Sequence, residues 1–136
     1  MSTDLNREKL IEAAQKARLS AYAPYSKYLV GAALLTKSGK VYTGANVENA
    51  AYPDSICAER VAIFKAVTEG EREFHAIAVA TADGGTPCGS CRQVLAEFAP
   101  NADVIVVNQK GDVMHQRPLH ELLPGAFGPS NLNVKP

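Results

Sequence analysis

Leu5, Ile11, Ala14 and Leu19 recur at roughly helical spacing behind Thr3 and Asp4, either of which can cap a helix start, and Pro24 ends the pattern. This predicts an opening helix. Leu29 to Thr36 is mostly apolar, Ser38-Gly39 supplies a turn, and Val41 to Val47 resumes with β-formers, so the pair reads as a hairpin. A second helical pattern runs from Cys57 to Glu69 through Val61, Phe64 and Ala66, with Gly70 placed to terminate it. His75 to Ala82 reads as a buried strand, Thr81 to Pro87 as a turn-rich loop, and Cys88 to Phe98 as the next helix. Val104 to Val107 is a β-branched run, Lys110-Gly111-Asp112 a turn, Val113 to His115 a short return strand and Leu119 to Leu123 a brief helix.

Five strands and three or four helices follow, the strands alternating with helices after an opening hairpin. That order predicts an α/β layered domain with a mixed sheet covered on both faces. At 136 residues the chain fits one domain, residues 1–136, able to bury a core without disulfides. No repeat or linker interrupts it, and the stretch from Pro129-Ser130-Asn131 onward reads as a loose or subunit-wrapping tail.

Composition narrows the function. Lys plus Arg balance Asp plus Glu at 14 each, without a basic run, which argues against a nucleic-acid partner and for a small substrate that is not a polyanion. The polar N-terminus and the lack of a long apolar run argue against a membrane partner and for a cytoplasmic protein.

The three cysteines carry the chemistry. Cys57 stands beside Glu59, and Cys88 and Cys91 form a C-x-x-C pair at i, i+3 on one helix face. Three thiolates fill three corners of a zinc tetrahedron and leave the fourth for water, the pattern of a catalytic site, whereas a structural site closes all four. A redox C-x-x-C is the alternative, but it leaves Cys57 and Glu59 without a role. Both ligand segments open helices, whose N-terminal N–H groups favour ionised sulfur. Three thiolates and a hydroxide outweigh the Zn²⁺ charge, and Arg60 and Arg92, each close in sequence to a ligand, are candidates to offset it. Glu59 is the candidate base for the open position. In a regular helix, though, the side chains of Cys57 and Glu59 would diverge by about 200°.

A cysteine or histidine, a nearby non-ligand Glu and then Pro-Cys-x-x-Cys is the signature of zinc deaminases. The chain resembles the small homotetrameric cytidine deaminases nearly end to end. The resemblance rests on Tyr22-Ala23-Pro24-Tyr25-Ser26, Val30-Gly31-Ala32-Ala33, Asn46-Val47-Glu48-Asn49-Ala50, Cys57-Ala58-Glu59-Arg60, Pro87-Cys88-Gly89-Ser90-Cys91-Arg92-Gln93 and Leu122-Leu123-Pro124-Gly125-Ala126-Phe127. It implies a three-layer α/β/α fold on a five-stranded mixed sheet. It further implies zinc on Cys57, Cys88 and Cys91, Glu59 as proton shuttle, and Asn46 and Glu48 on the ribose hydroxyls. Tyr28 stands where the family often has a base-stacking Phe, Ala58 would offer backbone contacts to the base, and Phe127 would reach a neighbouring subunit's site. The implied reaction is hydrolytic deamination of cytidine and 2′-deoxycytidine to uridine and 2′-deoxyuridine in pyrimidine salvage, a zinc-activated hydroxide attacking C4 and ammonia leaving.

His75, His115 and His120 fall outside ligand spacing and read as structural residues, and Tyr22, Tyr25 and Tyr42 as packing groups. A rival is a related deaminase acting on another aminated nucleoside such as blasticidin S, against which Asn46 and Glu48 argue. Polynucleotide-editing deaminases need a basic channel that the balanced charge does not provide. A binding module organised by structural zinc would need a fourth ligand, and none is on offer.

Overall fold

The computed structural model describes residues 3–135, with the side chains of residues 3–5, and so of the cap candidates Thr3 and Asp4, outside the description. Four α-helices and five strands follow in the order α1 (Thr3–Arg18), β1 (Gly31–Thr36), β2 (Val41–Ala45), α2 (Ala58–Thr68), β3 (Phe74–Ala80), α3 (Gly89–Phe98), β4 (Asp103–Val107), β5 (Val113–Pro118) and α4 (Leu119–Leu122). The strands form one sheet in the order β2-β1-β3-β4-β5. Only β3 and β4 run parallel, with α3 as their crossover, and every other pair is antiparallel. The sheet is therefore mixed, as the alternation of patterns predicts.

Period-two side chains send the two faces of the sheet to two cores. Ala33, Ala78, Ala80, Ile105 and Val107 pack against Leu10, Ile11 and Ala14 of α1. On the opposite face Ala32, Leu34, Ile77, Val79, Val104 and Val106 meet Ala62, Ile63 and Ala66 of α2 and Leu95 of α3. Both faces are covered, giving three layers. Small residues on the inner faces, four alanines among those eleven sheet positions, let the helices sit close.

Gly44 controls how α2 meets the hairpin. A Cβ there would lie 2.5 Å from the Ala58 carbonyl oxygen and 2.7 Å from the Ala62 nitrogen, both backbone atoms that cannot swing aside. Gly44→Ala is expected to destabilise the fold by about 3 kcal/mol, the upper range for overpacking, and to push the start of α2 outward. Urea unfolding midpoints check this, and a midpoint equal to wild type would contradict the close approach.

Some expectations shift. Helix α1 ends at Arg18, well before Pro24, so Leu19 falls past its end and is 76 % exposed, while Leu10 takes the core position. Phe64, expected on the inner stripe of α2, is 43 % exposed; Ala62 and Ile63 are buried instead. Strand β5 runs on through Gln116 and Arg117 because an exposed edge strand needs no apolar alternation to pair with β4. The tail is ordered locally: Pro129–Leu132 makes a 3-10 turn, and the Gly128 N–H donates to Asn131 Oδ1 at 2.8 Å.

Candidate metal centre

The start of α2 and the start of α3 meet beyond the carboxyl end of β3. Cys57 is the N-cap of α2, with extended backbone at φ −77°, ψ 152°, and Cys88 is the N-cap of α3 at φ −66°, ψ 168°. Neither makes a side-chain cap hydrogen bond, which leaves both sulfurs free to face the gap between the helices. Cys91 lies one turn into α3 and is buried. The three Sγ atoms lie within 4.8 Å of one another, and Cys88 and Cys91 are 3.5 Å apart. A Zn–S bond of about 2.3 Å in a tetrahedron sets sulfur pairs about 3.8 Å apart, so this triad fits zinc with one corner open.

The N-cap geometry also resolves the Cys57 and Glu59 problem. Because Cys57 is extended rather than helical, the regular-helix divergence does not apply to it, and both residues line one cavity. Glu59 is only 4 % exposed. Its carboxyl is raised to about 7, first by burial and then by the neighbouring Cys57 sulfur, while its own backbone amide pulls the other way.

Arg60 reaches back from the first turn of α2 and donates from Nη2 to Cys57 Sγ at 3.2 Å. Cys57 is pulled down to about 5 by a hydrogen bond from Cys91, with Arg60 adding to it, whereas Cys91, the donor in that pair, is pushed up. Among the described residues Arg60 Nε is a buried donor without a partner, a desolvation cost of about 1–3 kcal/mol that an anionic sulfur centre offsets. Arg92 behaves differently. Its guanidinium donates to Pro87 O at 2.7 Å, Thr86 Oγ1 at 2.8 Å and Leu122 O at 3.1 Å, so it braces the loop before Cys88 and touches no sulfur.

A cavity of about 520 Å³ opens beside the sulfurs, lined among others by Tyr28, Asn46, Glu48, Cys57, Glu59 and Cys88. Asn46 is almost buried: its Oδ1 accepts the Val30 N–H at 2.8 Å and its Nδ2 donates to Tyr28 O at 2.9 Å. Glu48 Oε1 accepts the Tyr25 and Ser26 amides at 3.1 and 3.0 Å, and its Oε2 accepts the Ser26 hydroxyl. These bonds, led by the Ser26 hydroxyl, hold the Glu48 carboxyl below its usual range. Each side chain keeps lone pairs or a proton for a ligand. Sequence reasoning assigned both to a ligand and missed that they also fasten the Tyr25–Tyr28 loop.

Ala58 sits at the first helical position, fully buried, with its carbonyl toward β2, and it does not line the cavity. Phe127 is 59 % exposed, so it is not core, and it does not line the cavity of its own chain; Gln93 Nε2 donates to its carbonyl at 2.9 Å and fixes that segment to α3. Val79, Thr81 and Tyr52 line the cavity without having been singled out. Thr81 carried a detectable signal, since Thr-x-Asp-Gly is a side-chain-capped turn: its Oγ1 accepts the Gly84 and Gly85 amides at 2.7 and 3.1 Å.

Known proteins agree with this geometry. A family model described as "Cytidine and deoxycytidylate deaminase zinc-binding region" matches residues 5–108. A curated relative from Sporosarcina psychrophila, named cytidine deaminase, is 50 % identical over 129 residues, 93 % of this chain and 94 % of that one. The crystal structure of cytidine deaminase from Burkholderia pseudomallei superimposes with a TM-score of 0.85 at 48 % identity, covering 93 % of this chain and 100 % of that one. That of the Mycobacterium tuberculosis enzyme gives 0.79 at 37 % identity, covering 90 % and 98 %. With both cysteine-capped helix starts inside the matched region and the likeness running nearly end to end, the chain belongs to the cytidine and deoxycytidylate deaminase family.

Proposed function

We propose that this protein is a zinc-dependent cytidine deaminase that converts cytidine and 2′-deoxycytidine to the corresponding uridines and ammonia. The observation that carries the reading is the buried Glu59 opening onto the same cavity as a three-sulfur cluster with no fourth protein ligand among the described residues. Cys57, Cys88 and Cys91 would hold Zn²⁺, which when bound supplies an acidified water at neutral pH. Arg60 offsets thiolate charge through Cys57.

Glu59 then moves protons at defined atoms. It takes one from the water and passes it to N3 of the ring as the oxygen attacks C4. It next takes the proton from the new hydroxyl on C4 and gives it to the amino group, the C4–N bond breaks, ammonia leaves and C4 becomes a carbonyl. One water enters for each ammonia released. In the metal-free site burial raises the Glu59 carboxyl, toward the range in which one group can both take and return a proton.

Glu48 and Asn46 support a nucleoside rather than a free base, since a carboxylate and an amide lining the cavity match a sugar's paired hydroxyls. The exposed Phe127 supports assembly as a homotetramer in which it completes a neighbour's cavity. A cytoplasmic role in pyrimidine salvage is in keeping with such a substrate, and no helix among the described residues is long and apolar enough to cross a membrane. The deciding experiment follows uridine formation from cytidine and 2′-deoxycytidine by the zinc-loaded protein. Both are expected to turn over; a folded, zinc-bound protein that leaves both unchanged would point instead to another aminated nucleoside.

A further inference from the structure

Tyr28 is held at both ends. Its amide donates to Ser26 Oγ at 3.0 Å, its carbonyl accepts Asn46 Nδ2 at 2.9 Å, and Lys27 before it sits in the left-handed region at φ 62°. At the other end the phenol donates to Asp83 Oδ1 at 2.6 Å. Asp83 lies outside the cavity lining, in the turn after β3, where its Oδ1 also accepts the Gly85 amide at 3.2 Å. Gly85 is what lets the two meet: a Cβ on it would come 3.0 Å from the Tyr28 hydroxyl. The same loop runs directly through Thr86 and Pro87 to Cys88, braced there by Arg92.

We propose that Asp83 is a positioning residue for the substrate: by accepting the Tyr28 hydroxyl it fixes the pitch of the ring in the nucleoside cavity and joins that ring to the loop carrying Cys88. This rests on the cytidine reading above. A phenylalanine at this position would keep its ring but have no such tether, and a tyrosine without Asp83 would leave a partly buried hydroxyl to be served by water. The bond has a charged acceptor, which makes it stronger and more directional than a neutral one. A ring locked before the nucleoside arrives loses less freedom on binding, so the benefit falls on KM.

The test is a cycle on the zinc-loaded protein: Asp83→Ala, Asp83→Asn, Tyr28→Phe and the double variant Tyr28→Phe with Asp83→Ala, each assayed for KM and kcat with cytidine. Asp83→Ala and Tyr28→Phe are expected to raise KM by roughly 5- to 10-fold, the cost of one re-mobilised side chain, with a much smaller change in kcat. Asp83→Asn, whose Oδ1 accepts the same bond, restores KM to within about twofold of wild type, and the double variant is no worse than either single change. Additive losses in the double variant, an Asn variant as poor as the Ala one, or a Tyr28→Phe variant with wild-type KM would each overturn the assignment. Tyr28→Phe substitutes no residue of the loop and keeps Asp83's bond from the Gly85 amide, so it decides the matter even where Asp83→Ala disturbs folding. An active wild type with additive losses overturns Asp83 alone; a wild type without cytidine turnover overturns the functional reading instead.

Discussion

Glu59→Ala is expected to keep its zinc and lose at least three orders of magnitude in kcat. General acid–base catalysis by one group contributes about 10²–10⁴-fold, and Glu59 is assigned every proton transfer of the cycle. No other carboxylate lining the cavity substitutes, because Glu48 is occupied by Ser26 and Tyr25. Zinc content and kcat measured on the same preparation check it; near-normal turnover would remove the assigned role.

Glu59→Gln separates burial from chemistry. In the metal-free protein the carboxyl stands at about 7 against an ordinary 4.5, so between those values the folded protein holds a proton that the unfolded chain has released. Native protein binding more protons means that stability falls as pH rises through this window. Relative to Glu59→Gln, which cannot ionise, the wild type should therefore lose up to about 3 kcal/mol between pH 4.5 and pH 7 and no more above it. Urea unfolding of both proteins with chelator at pH 5 and pH 8 reads the difference.

Cys91→Ala is expected to abolish zinc binding at stoichiometric concentrations and turnover with it. Cys91 is the buried member of the triad and lies within reach of both other sulfurs. Two remaining thiolates cannot hold the metal with an open corner, and losing even an outer partner of a ligand costs about 10–100-fold in affinity. Because metal binding to a preformed site is also folding energy, chelator should lower the Tm of the wild type and leave that of the variant unchanged. A variant that retains one zinc per chain and its activity would contradict the three-cysteine site.

Much of this was written in the local pattern. The hairpin was legible because Ser38-Gly39 sits between two apolar runs, and both cysteine-capped helices because a cysteine precedes each periodic stretch. Periodicity misplaced Leu19 and Phe64, since it reports spacing and not where a helix stops or which apolar side chain the sheet selects. The sequence favoured Arg60 over Arg92 as the partner of the sulfurs, but only the path of the chain sends one to Cys57 and the other to Pro87, Thr86 and Leu122. The Tyr28 and Asp83 bond joins residues 55 positions apart, beyond any local signal.

The two N-caps have a consequence for how the chain opens. Cys57 precedes α2, Cys88 precedes α3, and all of α2 and β3 lie between them, so a metal held at both caps closes a long loop of the polypeptide. Local opening that would otherwise fray the first turn of either helix alone would then have to break the shared bond first, so the two helix starts are expected to exchange their amide hydrogens as one cooperative unit. Metal occupancy would thus act as a brake on partial unfolding at the end of the sheet beside the cavity.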